Sequence, residues 1–276
     1  MYEVKIIADS VGPHNIRITT MTARFPRFIL AEFNTHRMLS RNAASSRAIP
    51  IEKVIAQVEE EPFIPEDWGT FKKGMVAGPA LTGELVGNAL FAWKNAMRTS
   101  IGEAKVLSRL GVHKSLVNRL LEPFMWTTVV VTATTWDNFF HLRATPQAQP
   151  EFRIIALRMQ DALAQSEPER LEPLQWHLPY VNQEERDRLG TFTAAQVAAA
   201  RCARVSYLTH EGKRDTSKDI ELADRLLRDG HMSPFEHAAE CLPVPARWGN
   251  FVGWRQYRKM IPHEHDPLGE RDGSDE

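Results

Sequence analysis

Cysteine is scarce in this chain, with only Cys202 and Cys241 among 276 residues. Two thiols so far apart make no disulfide framework and suit a reducing compartment. Charge bias is missing too: 34 Lys and Arg stand against 35 Asp and Glu, a formal net charge of -1. That balance removes the global field by which basic proteins collect nucleic acid or membrane. No apolar run approaches the roughly 20 residues that a bilayer helix needs. The start, MYEVKIIADS, lacks the layout of a signal peptide. Internal repeats and low-complexity linkers are also lacking. These absences lead to the expectation of a cytoplasmic protein with one catalytic domain over 1–262, followed by a flexible, acidic, glycine-containing tail over 263–276.

What is present is ordinary in bulk, at 43% hydrophobic and 25% charged residues, and unusual in one place. Between Arg24 and Pro50 lie Arg24, Arg27, Arg37, Arg41 and Arg47 against the single acid Glu32. Ser40, Asn42, Ser45 and Ser46 are interleaved with them and can hydrogen-bond anionic or carbonyl oxygens. Arg37 and Arg47 offer planar, permanently charged forks suited to phosphate. Ala43, Ala44, Ser45 and Ser46 are small enough to let a ligand approach the backbone. A phosphate-bearing ligand and a solvated basic helix face both explain the segment.

Pattern and punctuation predict the elements. Strands are expected at Tyr2–Ala8 and Asn15–Met21, then a helix over 26–41 with Phe28, Ile29 and Phe33 inward and Arg37 and Arg41 along one side. Pro50 introduces a helix over Ile51–Glu60. After a loop over 62–80, a long helix from Leu81 to Leu110 closes at Gly111. Lys114–Leu121 reads as a short helix stopped by Pro123, and Thr127–Thr135 as a β-branched strand, a pattern that a buried helix also accommodates. Helices follow at Trp136–Arg143 and at Ala148–Gln165, the latter with Phe152, Ile155 and Met159 inward. Residues 166–190 read as a charged surface excursion. Thr191–Tyr207, capped by Thr191 or Thr193, and Ser217–Asp229, ending at Gly230, complete the helices.

The run His36-Arg37-x-x-Ser40-x-Asn42-x-x-Ser45-x-Arg47 resembles the signature of the flavin-dependent thymidylate synthases, Arg-His-Arg-x-x-Ser-x-Asn-Glu-x-Ser-x-Arg-Tyr. Thr35, Ala43 and Ala48 depart from it. Arg119-Leu-Leu-Glu-Pro123, Asn138-Phe139-Phe140-His141-Leu142-Arg143 and Ala148-Gln149-Pro150-Glu151 are similar to later family segments, in the family's order. Thr132-Ala133-Thr134 stands where the family has Asn-Ala-Arg. The most specific match is Gly230-His231-Met232-Ser233-Pro234-Phe235-Glu236-His237, with Ala203-Arg204-Val205-Ser206 before it. In the family this element precedes the Arg-His-Arg signature, whereas here it follows. The resemblance therefore implies an α+β fold, a mixed sheet with flanking helices, in circularly permuted order, which exposed and neighbouring termini tolerate.

Carried over residue by residue, the resemblance implies that His36, Arg37, Asn42, Asn138, His231 and Ser233 hold FAD. It implies that Ser45, Ser46, Arg47 and Arg119 hold the nucleotide and that Arg143 activates the pyrimidine. Asn250-Phe-Val-Gly-Trp-Arg255-Gln256-Tyr257-Arg258-Lys259 is similar to the family's Phe-Val-x-Arg-Gln-x-x-Arg, so Gln256 and Arg258 or Lys259 are expected to replace contacts missing at Thr35. Methylenetetrahydrofolate, NADPH and a homotetramer with shared sites are implied with it. The alternatives are a hydroxymethyl product, dCMP as substrate, or a nucleic-acid-binding module using the basic segment.

The chemistry needs electron density pushed toward the pyrimidine C5. Arg143 cannot act as a base, but it can stabilise negative charge on the ring. Cys202 and Cys241 have no basic neighbour and read as packing residues rather than nucleophiles. His36, beside Arg37, is discouraged from taking up a proton. His263-Glu264-His265-Asp266 has no second ligand cluster, so no metal site is expected. Trp126, Trp136, Trp248 and Trp254 read as core.

Overall fold

The computed structural model describes residues 1–206, 215–262 and 264. Strands β1 (Glu3–Val11) and β2 (Arg17–Pro26) form an antiparallel hairpin with a register shift between Ile6 and Ala8. A 3-10 turn, Arg27–Ile29, runs into the single-turn helix α1 (Leu30–Phe33), and the chain then bends into β3 (Ser40–Ala43). The helix expected over 26–41 is therefore cut short. The Thr35 hydroxyl donates to the Glu32 carbonyl at 2.7 Å, and Arg41 takes the Asn34, His36 and Leu39 carbonyls, oxygens that a continuing helix would have used.

Helix α2 (Ile51–Glu60) starts behind Pro50, and α3 (Glu84–Arg109) ends before Gly111, whose φ of +79° gives the left-handed cap. Both pack with α4 (Lys114–Val117) and the 3-10 stretch Asn118–Phe124 around Val54, Val58, Ile101 and Leu121. Pro123 lies inside that 3-10 stretch rather than stopping a helix. Strand β4 (Trp126–Ala133) leads to α5 (Asp137–Arg143) and α6 (Pro150–Gln165). The remaining elements are β5 (Glu169–Arg170), β6 (Trp176–His177), α7 (Gln183–Arg188), α8 (Thr191–Ala203), α9 (Thr216–Arg228), β7 (Ala239–Cys241), β8 (Arg247–Trp248), β9 (Phe251–Val252) and β10 (Trp254–Gln256).

The main sheet has the order β3-β4-β2-β1-β5, antiparallel except for the parallel pair β1 and β5, so it is mixed. Alternation along β2 and β4 assigns its two faces. Met21, Ala23, Phe25, Val129, Val131 and Ala133 pack with Phe33, Phe139, Phe152 and Ile155 of α1, α5 and α6. On the opposite face Ile18 meets Leu171, Phe251 and Trp254, while Val130 meets Cys202 and Val205. Both faces are covered, which explains why the central strands are buried almost throughout.

Residues 166–190 correct the expected surface excursion. Leu171, Trp176, His177, Leu178 and Val181 are buried, and β6 pairs with β7 in a second sheet, β10-β7-β6. The alanine-rich helix α8 starts at Gly190 with no side-chain cap, so neither Thr191 nor Thr193 caps it. It ends at Ala203, and Tyr207, where that helix was expected to finish, lies outside the described residues. Arg201 of α8 is buried between Glu185 of α7 and Asp219 of α9, at 2.6 and 2.8 Å. Trp254 and Trp136 are core, Trp126 is half-buried, and Trp248 is exposed under the Arg255 guanidinium. No described helix is long and apolar enough to cross a membrane.

Candidate functional site

Residues 34–39 form a loop that Arg41 closes. Its guanidinium donates to the Asn34 side chain at 2.9 Å and to the Asn34, His36 and Leu39 carbonyls at 2.5, 3.0 and 2.6 Å. The loop turns the His36 ring inward, edge-on to Phe139 at 5.0 Å. Arg143, in the last turn of α5 where a cation complements the helix dipole, lies over the Phe152 ring at 4.5 Å. Its Nε donates to His36 Nε2 at 2.9 Å, so the ring proton of neutral His36 sits on Nδ1. Burial, then Arg143 and Arg41, push the His36 pKa down to about 4. The neighbouring charges responsible are thus Arg143 and Arg41, brought in by the fold, rather than the adjacent Arg37.

His36 and Arg143 line a cavity of about 350 Å³ together with Thr35, Arg37, Thr135 and Asn138. That volume falls among small-molecule sites, roughly 300–1,000 Å³. Arg37 and Asn138 are exposed there. Four residues singled out from sequence, His36, Arg37, Asn138 and Arg143, therefore share one cavity.

The edge strand β3 joins this loop to the C-terminal half. Ser40 is buried, its Oγ receiving hydrogen bonds from Asn250 Nδ2 and Gln256 Nε2, both at 3.1 Å. Asn250 Nδ2 also reaches the Met38 carbonyl at 3.0 Å. Gln256, expected on a nucleotide, is thus a buried clamp on Ser40. Arg258, expected there as well, is held by Glu236 at 2.6 Å and Glu264 at 2.7 Å, and Lys259 by Glu264. The 3-10 turn Ser233–Glu236 packs on β3, and Glu236 acts electrostatically on Arg41. Ser233, at the start of that turn, and His231, two residues before it, are exposed and lie outside the cavity lining. Asn42 presents a buried Oδ1 with no hydrogen-bond partner. The candidate metal stretch 263–266 falls outside the described residues apart from Glu264.

A second cluster forms where the chain leaves β3. The buried Asn118 side chain donates to the Ser46 and Ile49 carbonyls at 2.7 and 3.0 Å, fixing the turn that carries Ser45, Ser46 and Arg47. Glu122 Oε1 accepts from Ser46 Oγ at 2.7 Å and from Arg27 Nε and Arg119 Nη1 at 2.8 Å each. Ser46 and Arg119, both expected on phosphate, therefore meet at one carboxylate, with Arg47 exposed beside them. The basic segment is dispersed, because Arg24 pairs with Glu61, Arg27 with Glu122, and Arg41 with its own loop.

Behind the sheet runs a buried line of side-chain hydrogen bonds. Ser10 Oγ bonds His177 Nδ1 at 2.9 Å, and His177 Nε2 bonds Thr20 Oγ1 at 2.8 Å. Thr20 bonds Thr132 at 2.7 Å, and Thr132 bonds His237 Nδ1 at 2.8 Å. The last link ties the segment after the Ser233 turn to β4. Sequence reasoning assigned no role to Glu122, Arg27, Asn250, His177 or Thr132. Arg27, Asn250 and Thr132 lay in segments the sequence had marked, and Glu122 carried the signal of a carboxylate three residues after Arg119.

The sequence profile of the thymidylate synthase complementing protein family matches residues 13–169. No curated protein matches the chain. Among solved structures, the fold is similar to the UMP/dUMP methylase PolB from Streptomyces cacaoi, bound with 5-Br UMP. The TM-score is 0.51 at 16% identity, over 59% of this chain and 89% of that one. The flavin-dependent thymidylate synthase ThyX from Helicobacter pylori, complexed with FAD and dUMP, gives 0.36 at 16% identity, over 53% and 67%.

Proposed function

Since the chain belongs to the thymidylate synthase complementing protein family, whose members are flavin-dependent thymidylate synthase-like transferases, we propose that it methylates C5 of dUMP to give dTMP, with methylenetetrahydrofolate as carbon donor and NADPH as reductant. The observation that carries this reading is the Arg143–His36 pair in one cavity with Arg37 and Asn138.

The residues present fit FAD. Asn42 offers a buried, unpaired carbonyl oxygen that a ring N–H would satisfy, and Arg37 and Asn138 offer exposed donors. His36, Arg37, Asn42 and Asn138 would hold the cofactor, with His231 and Ser233 at the neighbouring turn. When bound, FAD would supply the hydride. Arg143, always charged, donates to the pyrimidine O4 and stabilises the negative charge that develops on the ring as C5 becomes nucleophilic. His36, neutral at neutral pH, orients the guanidinium through Nε without opposing its charge. Ser45, Arg47 and Arg119 hold the phosphate, and Ser46 stays behind them on Glu122. Cys202 and Cys241 take no part, because burial keeps both thiols protonated. We read the order of segments as permuted relative to the family, and the packing of the turn after His231 on β3 supports that reading. We read the assembly as a homotetramer with shared sites.

The test is FAD-loaded protein incubated with methylenetetrahydrofolate, NADPH and one nucleotide at a time, with product mass as readout. PolB is described as a UMP/dUMP methylase, so UMP belongs beside dUMP and dCMP. A methyl increment on dUMP is the expected result. A hydroxymethyl increment, or reaction of dCMP alone, would move the reading to those products. Colourless protein that takes up no FAD and alters no nucleotide would overturn it.

A further inference from the structure

Glu122 stands where an anionic ligand is expected. One of its oxygens collects the Ser46 hydroxyl, Arg27 Nε and Arg119 Nη1, all within 2.8 Å, which is the donor set that a phosphate oxygen would use. The three donors are not equally free. Arg27 is nearly buried, at 11% side-chain exposure, and its Nη1 is also spent on the Ala44 carbonyl and the Thr127 hydroxyl. Ser46 is buried, and its backbone carbonyl is pinned by Asn118. Arg119 is 49% exposed and has no bond among the described residues other than that to Glu122, so it alone can turn outward.

Charge gives the second observation. Arg27, Arg119 and the adjacent exposed Arg47 carry three positive charges, and Glu122 removes one. Burial opposes ionisation of Glu122, but hydrogen bonds from Ser46 and Arg27 outweigh it and hold the carboxyl below its usual range. These four side chains together thus keep two net positive charges, and Lys114, on the Ala48 carbonyl at 3.0 Å, lies beside them. A phosphomonoester carries about −1.5 to −2 at neutral pH and is matched. A polyphosphate brings further negative charge against a fixed carboxylate and is not.

We propose that Glu122 is the specificity-determining residue of the phosphate subsite, keeping Arg27 and Ser46 in place, releasing Arg119 to the first phosphate of the nucleotide, and repelling any phosphate beyond it. This rests on the nucleotide reading above and adds to it the residue that sets how many phosphates the site accepts. Without Glu122 the same arginines would favour the more highly charged ligand.

The test is calorimetric titration of the FAD-loaded protein with deoxyuridine, its 5′-monophosphate and its 5′-triphosphate. Wild type should bind the monophosphate at least about tenfold more tightly than the triphosphate. Glu122→Gln should close that gap by about tenfold or more, chiefly by tightening the triphosphate, while Glu122→Asp, which keeps the charge, should restore it. A ratio unchanged in Glu122→Gln, with the monophosphate still bound, overturns the role of Glu122 alone. Loss of affinity for all ligands in Glu122→Gln, with Glu122→Asp no better, makes the residue structural and also overturns it. Deoxyuridine and the monophosphate binding equally well to wild type would overturn the phosphate subsite itself.

Discussion

Arg143 Nε donates to His36 Nε2 across 2.9 Å, and that bond ties α5 to the loop before β3. It also forces His36 to stay neutral, since a protonated ring has no acceptor for Nε–H. His36 is held down to about 4 by burial, Arg143 and Arg41. His177 and His237 are held down to about 3, chiefly by burial. An unfolded histidine titrates at about 6.5. Between that value and the folded ones the unfolded chain binds the extra protons. Stability from these three groups is therefore full above about pH 6.5 and falls as pH drops, by about 1.4 kcal/mol per pH unit for each group. Urea midpoints at about pH 7.5, 6 and 5 should decline in that order. Equal midpoints would show that the rings take up protons in the folded state.

Arg143→Lys keeps the charge and removes the fork. Lysine offers no Nε–H to His36 and no plane to stack on Phe152. The expected result is a loss in kcat on the order of 10²–10³, the usual effect of removing one oxyanion-type donor. Binding of FAD should change little, and so should the melting temperature. A lysine variant with near wild-type kcat would mean that charge alone suffices there.

Much of this arrangement is legible in the amino-acid sequence alone. Periodicity places α2, α3, α5, α6 and α9 within a few residues, and β-branching marks β4. The motif residues His36, Arg37, Asn138 and Arg143 do share a cavity. The failures have one physical root, because local pattern does not report what a distant side chain will do. The helix expected over 26–41 breaks because Arg41 and Thr35 capture its carbonyls. Residues 166–190 look charged and loop-like, yet His177 enters the core because Ser10 and Thr20, far away in sequence, satisfy both ring nitrogens. Gln256 and Arg258 carry motif spacing, but their partners Ser40 and Glu236 take them first. Charge counting along Arg24–Arg47 likewise misses that Glu61 and Glu122 come back to neutralise Arg24 and Arg27.

Thr132 sits in the middle of the buried hydrogen-bond line, bonded to Thr20 on one side and His237 on the other. Valine has the same shape without the hydroxyl. Thr132→Val should leave His237 Nδ1 buried without a partner and cost about 1–3 kcal/mol of unfolding free energy. Thr128→Val, on the same strand but half-buried, should cost far less. Chemical denaturation of the two variants side by side measures the difference. If they lose the same small amount, the line carries no stability.

Gly249 has a φ of +64°, and a Cβ there would stand 2.7 Å from Gln256 Oε1. Gln256 is the residue that donates to Ser40 and Asn250 and so holds β3 against the C-terminal half. Gly111 has a similar φ of +79° but open space around it. Gly111→Ala should therefore cost only the left-handed strain, about 1–3 kcal/mol. Gly249→Ala should cost that and also displace Gln256, freeing Ser40 two residues before the unpaired Asn42. The two variants separate backbone strain from loss of the clamp. FAD affinity, followed by flavin fluorescence quenching, should fall several-fold in Gly249→Ala and stay at the wild-type value in Gly111→Ala. Equal affinities in the two would mean that the Ser40–Gln256 clamp does not shape the cofactor side of β3.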